Sequence, residues 1–300
     1  MTTHPQISLA ELPDASQGHM DFLDSTWFKT HGRTRQFPTP EHVQSFNPHQ
    51  LSHPVRFEDL GLIVKFGPNI SISEAINLWV VRQVFQNLVP VPEIYGWRVL
   101  EREGKAPEVF IYMQLVQGST LEERWPTLSF TEKQTICSDL RAMTSCFRGL
   151  RDNESEQVIG SLTHGPAPDR CLESLPSLKP FSTRAVFHDW LSWLWRRHVP
   201  DPQSIEDPWR DLLEDNGPIV LTHGDLRPAN IIVTASSPAK VVAIVDWEQA
   251  GWYPDYWEYC KAVFTTSYDG EWRGYIDQFL DPHPTPLEAF DFYTFTLGLF

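Results

Sequence analysis

A chain of 300 residues, 41% hydrophobic and 21% charged, can bury one large core or two lobes. Its net charge of -15 argues against a nucleic-acid partner, since such binding rests on Lys and Arg neutralising phosphates. That charge is compatible with a cationic substrate, although solubility is the plainer account of it.

The four cysteines, Cys137, Cys146, Cys171 and Cys260, form no CxxC pair and join no Cys/His cluster with zinc spacing. They are expected to be reduced thiols. The first residues have no basic start and no apolar run, so they do not read as a secretory signal. No apolar stretch approaches the roughly 20 residues that span a bilayer. The expected setting is cytoplasmic, with no membrane partner.

Residues 1–50 are polar, with scattered Pro and His and no clean period. They are expected to form an extension that drapes over a lobe, with a short helix near Leu9–Leu12 or Asp21–Phe28. Order should begin near Pro54, with a strand to Phe57, a turn through Glu58–Gly61 and a strand over Leu62–Phe66. Lys65 sits inside that apolar run, so it either snorkels outward or has a dedicated anionic partner. Ser71 and Glu74 have the spacing of a capping box, and Ile76, Trp79, Val80, Val84 and Leu88 give a helical stripe. Glu74 therefore has two readings, a cap or an ion pair with Lys65. Two further strands are expected over Glu93–Leu100 and Val109–Val116. At Gln117–Thr120 the pattern turns from strands to helices, which marks a lobe boundary. The division expected is an extension (1–50), a small lobe (51–116) and a large lobe (117–300).

The large lobe opens with a helix capped by Ser129 or Thr131. Residues 151–182 read as loop, with His164 and Asp169 as ordinary loop residues. Thr183–His198 reads as a Trp-rich amphipathic helix. Asp255–Phe264, Glu271–Phe279 and Leu287–Leu299 are further helical candidates, the last ending in an apolar tail expected to pack back.

Between these lies Ile219–Glu248, two β-branched apolar segments around the turn TASSPAK, the pattern of a buried hairpin. It carries Asp225, then Asn230 after four intervening residues, and ends in Asp246. An Asp and an Asn at this spacing, then strand, turn, strand and Asp, match the layout of a kinase's catalytic and metal-binding parts. Asp225 would accept a hydroxyl proton. Asn230 and Asp246 would supply the hard oxygens that magnesium requires. Arg227 is open between a contact to the transferred phosphate and a solvated loop charge. His223 fits a brace for the loop better than a base.

The run LTHGDLRPANIIV, followed by IVDWEQAGWYP and PDYWEYCKA, resembles the aminoglycoside phosphotransferase family of the protein-kinase-like superfamily, and its fungal branch most. IVKF around Lys65, Glu74, PVPEIYGW and IYMQLVQGSTLEERW fall in the family's order, over residues 54 to about 280. The resemblance implies an α+β, bilobal protein-kinase-like fold with a β-rich N-lobe and a mostly helical C-lobe. It implies a phosphotransferase that uses ATP, or alternatively GTP, with Mg2+ on a hydroxyl of a small molecule. Lys65 would bind the α/β-phosphates and Glu74 would hold it. Backbone groups of Gln114 and Val116 would meet the base. Asp225 would be catalytic, Asn230 and Asp246 would hold the metal, and Glu258 would brace the loop.

Departures from the pattern keep alternatives open. No glycine lies between Gly32 and Gly61, so no Gly-rich phosphate loop precedes Lys65. Trp247 and Glu248 follow Asp246 where a protein kinase has Phe and Gly. A pseudokinase or scaffold that binds nucleotide without turnover is one alternative. A metal-dependent hydrolase using His223, Asp225 and Asp246 is another.

Overall fold

The computed structural model describes residues 5–47, 54–67, 69–152, 157–172 and 179–298. Leu299 and Phe300, the end of the expected apolar tail, lie outside them. The N-terminal segment holds more order than its polarity suggests. It contains β1 (Gln6–Ile7), a short 3-10 turn at Leu9–Glu11, β2 (His19–Asp21), α1 (Thr26–His31) and α2 (Pro40–Phe46). Helix α2 starts where its sequence favours it, with Thr39 Oγ1 accepting from His42 N and Pro40 at the first helical position.

β3 (Val55–Phe57) and β4 (Leu62–Gly67) form the expected hairpin, turned through Glu58–Gly61. Helix α3 (Ile72–Phe85) follows, then β5 (Ile94–Leu100) and β6 (Glu108–Gln114). These strands and β2 make an antiparallel sheet in the order β2-β5-β6-β4-β3. The pleat sends alternate side chains to opposite faces. Leu62, Val64 and Phe66 of β4 enter the outer cluster, with Phe110 and Tyr112 of β6. Ile63 and Lys65 take the inner face, toward α3.

The outer face would be open to water without the N-terminal segment. Trp27, Phe28, Phe37 and Val43 cover it. Each such side chain contributes about 2 kcal/mol when buried. Backbone and polar contacts pin the cover: Phe22 N donates to Tyr95 O, Tyr112 OH to Pro38 O (2.8 Å), and Arg98 pairs with Asp21 (2.7 Å). The expected drape is thus an edge strand and one wall of the small lobe. β1 also reaches the large lobe, pairing in parallel with β8 (Arg151–Asp152).

The large lobe continues through β7 (Ser119–Thr120), α4 (Leu121–Arg124), α5 (Phe130–Phe147), β9 (Gly160–Ser161) and α6 (Arg184–Arg196). Of the two caps expected for α5, Ser129 is the one formed, and it bonds reciprocally with Glu132. Then come β10 (Ile219–Thr222), β11 (Ile231–Val233), β12 (Val241–Ile244) and β13 (Gly251–Pro254). Helices α7 (Trp257–Phe264), α8 (Ile276–Phe279) and α9 (Pro284–Thr296) close the chain. α9 begins earlier than expected, because Pro284 and Pro286 suit a first helical turn. Glu271–Tyr275 is a 3-10 segment and only its continuation, α8, is α-helical.

The segment Ile219–Glu248 differs from a simple hairpin. β11 pairs with β12, but β10 leaves them and pairs with β13. The turn at Gly224 makes this split. Its φ is +80°, and a Cβ there would stand 2.9 Å from Gln249 O, so only glycine fits without strain. The assembled chain is the bilobal, protein-kinase-like α+β fold expected, a sheet-rich N-lobe followed by a mainly helical C-lobe.

Candidate active site

The pleat of β4 carries Lys65 to the inner face, and the first turn of α3 brings Glu74 beneath it. Lys65 Nζ lies 3.0 Å from Glu74 Oε1 and 2.9 Å from Oε2. Glu74 is 1% exposed. Of the two readings of Glu74, the ion pair is the one formed. Ser71 sits at the N-cap but makes no side-chain capping bond, because the carboxylate that would complete the box is drawn inward. Two carboxylates from the other lobe join them: Asp246 Oδ1 at 2.7 Å from Lys65 Nζ and Glu248 Oε2 at 3.0 Å.

This crowding decides protonation. Burial works to lower the Lys65 pKa, but Glu74, Asp246 and Glu248 outweigh it and hold it above lysine's ordinary value. Burial pushes Glu74 up to about 7, against the pull of Lys65. Burial also opposes the Asp246 anion, yet Lys65 prevails and holds its pKa below the usual carboxylate range.

Asp246 adopts a left-handed conformation, φ +67° and ψ +56°, uncommon for a residue with a side chain. Its neighbours hold it there. Trp247 is fully buried, donates from Nε1 to Ile244 O (3.0 Å) and packs edge-on against His223 and Phe147. Asn77 of α3 donates from Nδ2 to Trp247 O at 2.8 Å and contacts Ala250 O at 3.3 Å. Helix α3 thus grips the Asp246 segment by its backbone and, through the Lys65 ammonium that Glu74 holds, by charge.

Asp225 lies on the loop between β10 and β11, 5% exposed. Asn230 Nδ2 donates to both its Oδ2 and its backbone oxygen, each at 2.9 Å. Val245 N donates to Asn230 O (2.9 Å), which ties Asn230 to the strand end before Asp246. Arg227 Nε stands 3.3 Å from Asp225 Oδ2, an ion pair whose direction is poor for a hydrogen bond. Both ring nitrogens of His223 are engaged: Nδ1 accepts from Asp225 N (3.1 Å), and Nε2 donates to Val245 O (3.0 Å). His223 braces the loop and has no nitrogen left for a metal or for base catalysis, which removes the ligand the hydrolase reading needs. Glu258 of α7, wholly buried, accepts from His223 N at 2.5 Å and Gly224 N at 3.2 Å.

At the end of β6, Gln114 N donates to Glu93 O and Leu115 N to Gly61 O. Val116 makes no backbone hydrogen bond among the described residues. Gly118, φ +155°, passes so close to β11 that a Cβ would stand 2.4 Å from Val233 O.

Several participants escape sequence reading. Arg170 bonds Glu248 through its guanidinium and Gln249 Oε1 through its backbone N–H (3.0 Å). Asp169, expected to be an ordinary loop residue, is 0% exposed, accepts from Trp257 Nε1 and pairs with the buried Lys261 at 2.8 Å. These bonds fix the segment 166–172 along one side of a cleft of about 300 Å³, whose other walls include Glu248, Phe181 and Trp190. Asn77 carries a weak signal in the sequence, an amide three residues after Glu74 on a helix that is otherwise apolar there.

The sequence profile of the APH phosphotransferase enzyme family matches residues 76–290, a span that contains Asp225, Asn230 and Asp246 and begins after Lys65 and Glu74. No curated protein sequence matches the chain. Among solved structures, a thermostable mutant of aminoglycoside phosphotransferase APH(4)-Ia in complex with ADP and hygromycin B is 16% identical, over 78% of this chain and 77% of that one, with a TM-score of 0.49. The streptomycin–ATP complex of APH(2'')-IIa is 12% identical, over 86% and 87%, with a TM-score of 0.45. The GDP complex of aminoglycoside 2'-phosphotransferase-IIIa is 16% identical, over 77% and 76%, with a TM-score of 0.42.

Proposed function

The chain belongs to the APH phosphotransferase enzyme family, and we propose that it moves the γ-phosphoryl group of ATP to a hydroxyl of a small molecule. One observation supports this most: Lys65, its near neighbour Glu74 and the remote Asp246 meet at one nitrogen.

In this reading Lys65 exchanges carboxylates for the α/β-phosphates while Glu74 keeps it aimed. Val116 and Gln114 offer backbone groups to the base, which ATP and GTP would satisfy differently. Asp225 accepts the proton of the acceptor hydroxyl as its oxygen bonds to the γ-phosphorus and the bond to the ADP oxygen breaks. Asn230 and Glu258 hold Asp225 and its loop in place. Arg227, beside Asp225, is placed to meet the phosphoryl oxygens.

The oxygens of Asp246 and Asn230 are hard donors suited to magnesium. Asp246 keeps one oxygen clear of Lys65, and Asn230, donating through Nδ2, keeps its amide oxygen. These two residues would hold Mg2+, which supplies charge neutralisation to the phosphates. The cleft beside Glu248 would take the acceptor. The lobe division at 116/117 and a reducing, cytoplasmic setting belong to the same proposal. Among the described residues no helix is long and apolar enough to cross a membrane, and all four cysteines are free.

A second reading has specific support. Lys65 is held by three carboxylates, and the β3–β4 turn is tight. A site in this state can bind nucleotide weakly and transfer nothing. Titration with ATP and GTP, with and without Mg2+, separates the two. The kinase reading expects Mg2+-dependent binding, lost in Asp246→Asn and weakened in Asn230→Ala. Binding that ignores Mg2+ and both substitutions counts against it.

A further inference from the structure

A second cavity, of about 410 Å³, lies between α5, the end of β13 and the approach to α9. Its charged and titratable lining is Arg141, Arg148, Arg151, Asp255, Asp281 and His283. Both carboxylates are already paired: Asp281 with Arg141 at 2.5 Å, and Asp255 with Arg184 at 2.7 Å. Arg148 and Arg151 pair with no carboxylate among the described residues. Arg148 Nη2 donates to Asp255 O (2.6 Å), and Arg151 Nη1 to Arg148 O and Leu150 O. Arg148 Nη1 is buried and has no hydrogen-bond partner among the described residues. A buried guanidinium donor without an acceptor is costly, and each such group calls for an explanation.

The cavity is therefore lined by two guanidinium groups that make no salt bridge among the described residues, in a chain of net charge -15. Guanidinium forks match phosphate oxygens in shape and charge. A phosphate monoester near neutral pH carries about two negative charges. The volume exceeds a bare phosphate ion and leaves room for the body of a small molecule. We propose that this cavity is a binding site for the phosphate dianion of a small phosphorylated molecule, separate from the Lys65–Asp246 site. Arg148 also connects it to the catalytic loop. Burial raises the Glu258 pKa, and His223 and then Arg148 oppose that rise. An anion on Arg148 thus alters the field at the carboxylate that holds His223 and Gly224.

Calorimetric titration of the full chain with inorganic phosphate and with glycerol 3-phosphate, at ionic strength matched with chloride, tests the site. Saturable binding near one equivalent is expected, about tenfold weaker in Arg151→Gln and weaker still in Arg148→Gln. Tighter binding of glycerol 3-phosphate assigns the site to monoesters, and tighter binding of inorganic phosphate to the free ion. ADP should leave the titration unchanged. No saturable binding, binding untouched in both variants, or displacement by ADP would overturn the proposal.

Discussion

Removing the charge of Lys65 while keeping its stem, as in Lys65→Met, isolates what the cation does for the three carboxylates around it. Oxygens of Glu74, Asp246 and Glu248 all lie within 4.8 Å of one another. Two unit charges at that distance repel by about 3 kcal/mol at an effective dielectric near 20. With Lys65 gone, the cheapest relief is a proton on Glu74, whose pKa already stands at about 7. A carboxyl whose pKa is raised in the folded state binds a proton that the unfolded chain releases above about 4.5. Folding is therefore favoured toward acid and penalised as pH rises through the folded pKa. The substitution raises that pKa further, so its deficit should grow with pH. Urea unfolding should show a loss of about 3 kcal/mol at pH 8, shrinking to about 1 kcal/mol at pH 5.5. A loss below about 1 kcal/mol at pH 8, or an equal loss at both pH values, would refute the reasoning.

Other expectations follow from single contacts. Asn77→Leu should cost about 1–2 kcal/mol by stranding Trp247 O and Ala250 O, and turnover should fall more than substrate affinity because Asp246 loses its support; calorimetry and kinetics separate the two. Glu258→Ala should cost about 3 kcal/mol and abolish measurable turnover, since the N–H groups of His223 and Gly224 lose their acceptor. His188 is fully buried between Asp215 and Tyr256, and burial pushes its pKa down to about 4. Its neutral form stabilises the fold above pH 6.5, and that contribution is lost as pH falls toward 4, by about 3 kcal/mol in all. His188→Gln should flatten this part of the stability profile.

Legibility in the sequence followed distance along the chain. Asp225, Asn230 and Asp246 belong to one local pattern, and Lys65 and Glu74 to one strand and the helix after it. Each group could therefore be read locally, whereas placing the two in one site, 181 residues apart from Lys65 to Asp246, rested on the family resemblance. Asp169 with Lys261, and Arg170 with Glu248, are pairs between loops and helices far apart in the chain, and no period announces them. Trp27, Phe28 and Phe37 were illegible for another reason: aromatic residues without a repeat give no helix or strand signal, although they wall the small lobe. The partner of β10 was missed because hairpin rules favour the next strand, whereas the Gly224 turn sends it to β13. Ser71 failed as a capping residue because the attraction of a buried Lys65 for Glu74 exceeds the gain from a cap.

The most direct measurement is transfer of radiolabelled γ-phosphate from ATP in the presence of Mg2+ to a panel of small alcohols, wild type beside Asp225→Asn. The expected result is label on an organic acceptor with wild type and none above background with Asp225→Asn, while both proteins still bind nucleotide. Equal transfer by the two, or nucleotide binding with no transfer to any acceptor of a broad panel, would contradict a phosphotransferase built on Asp225.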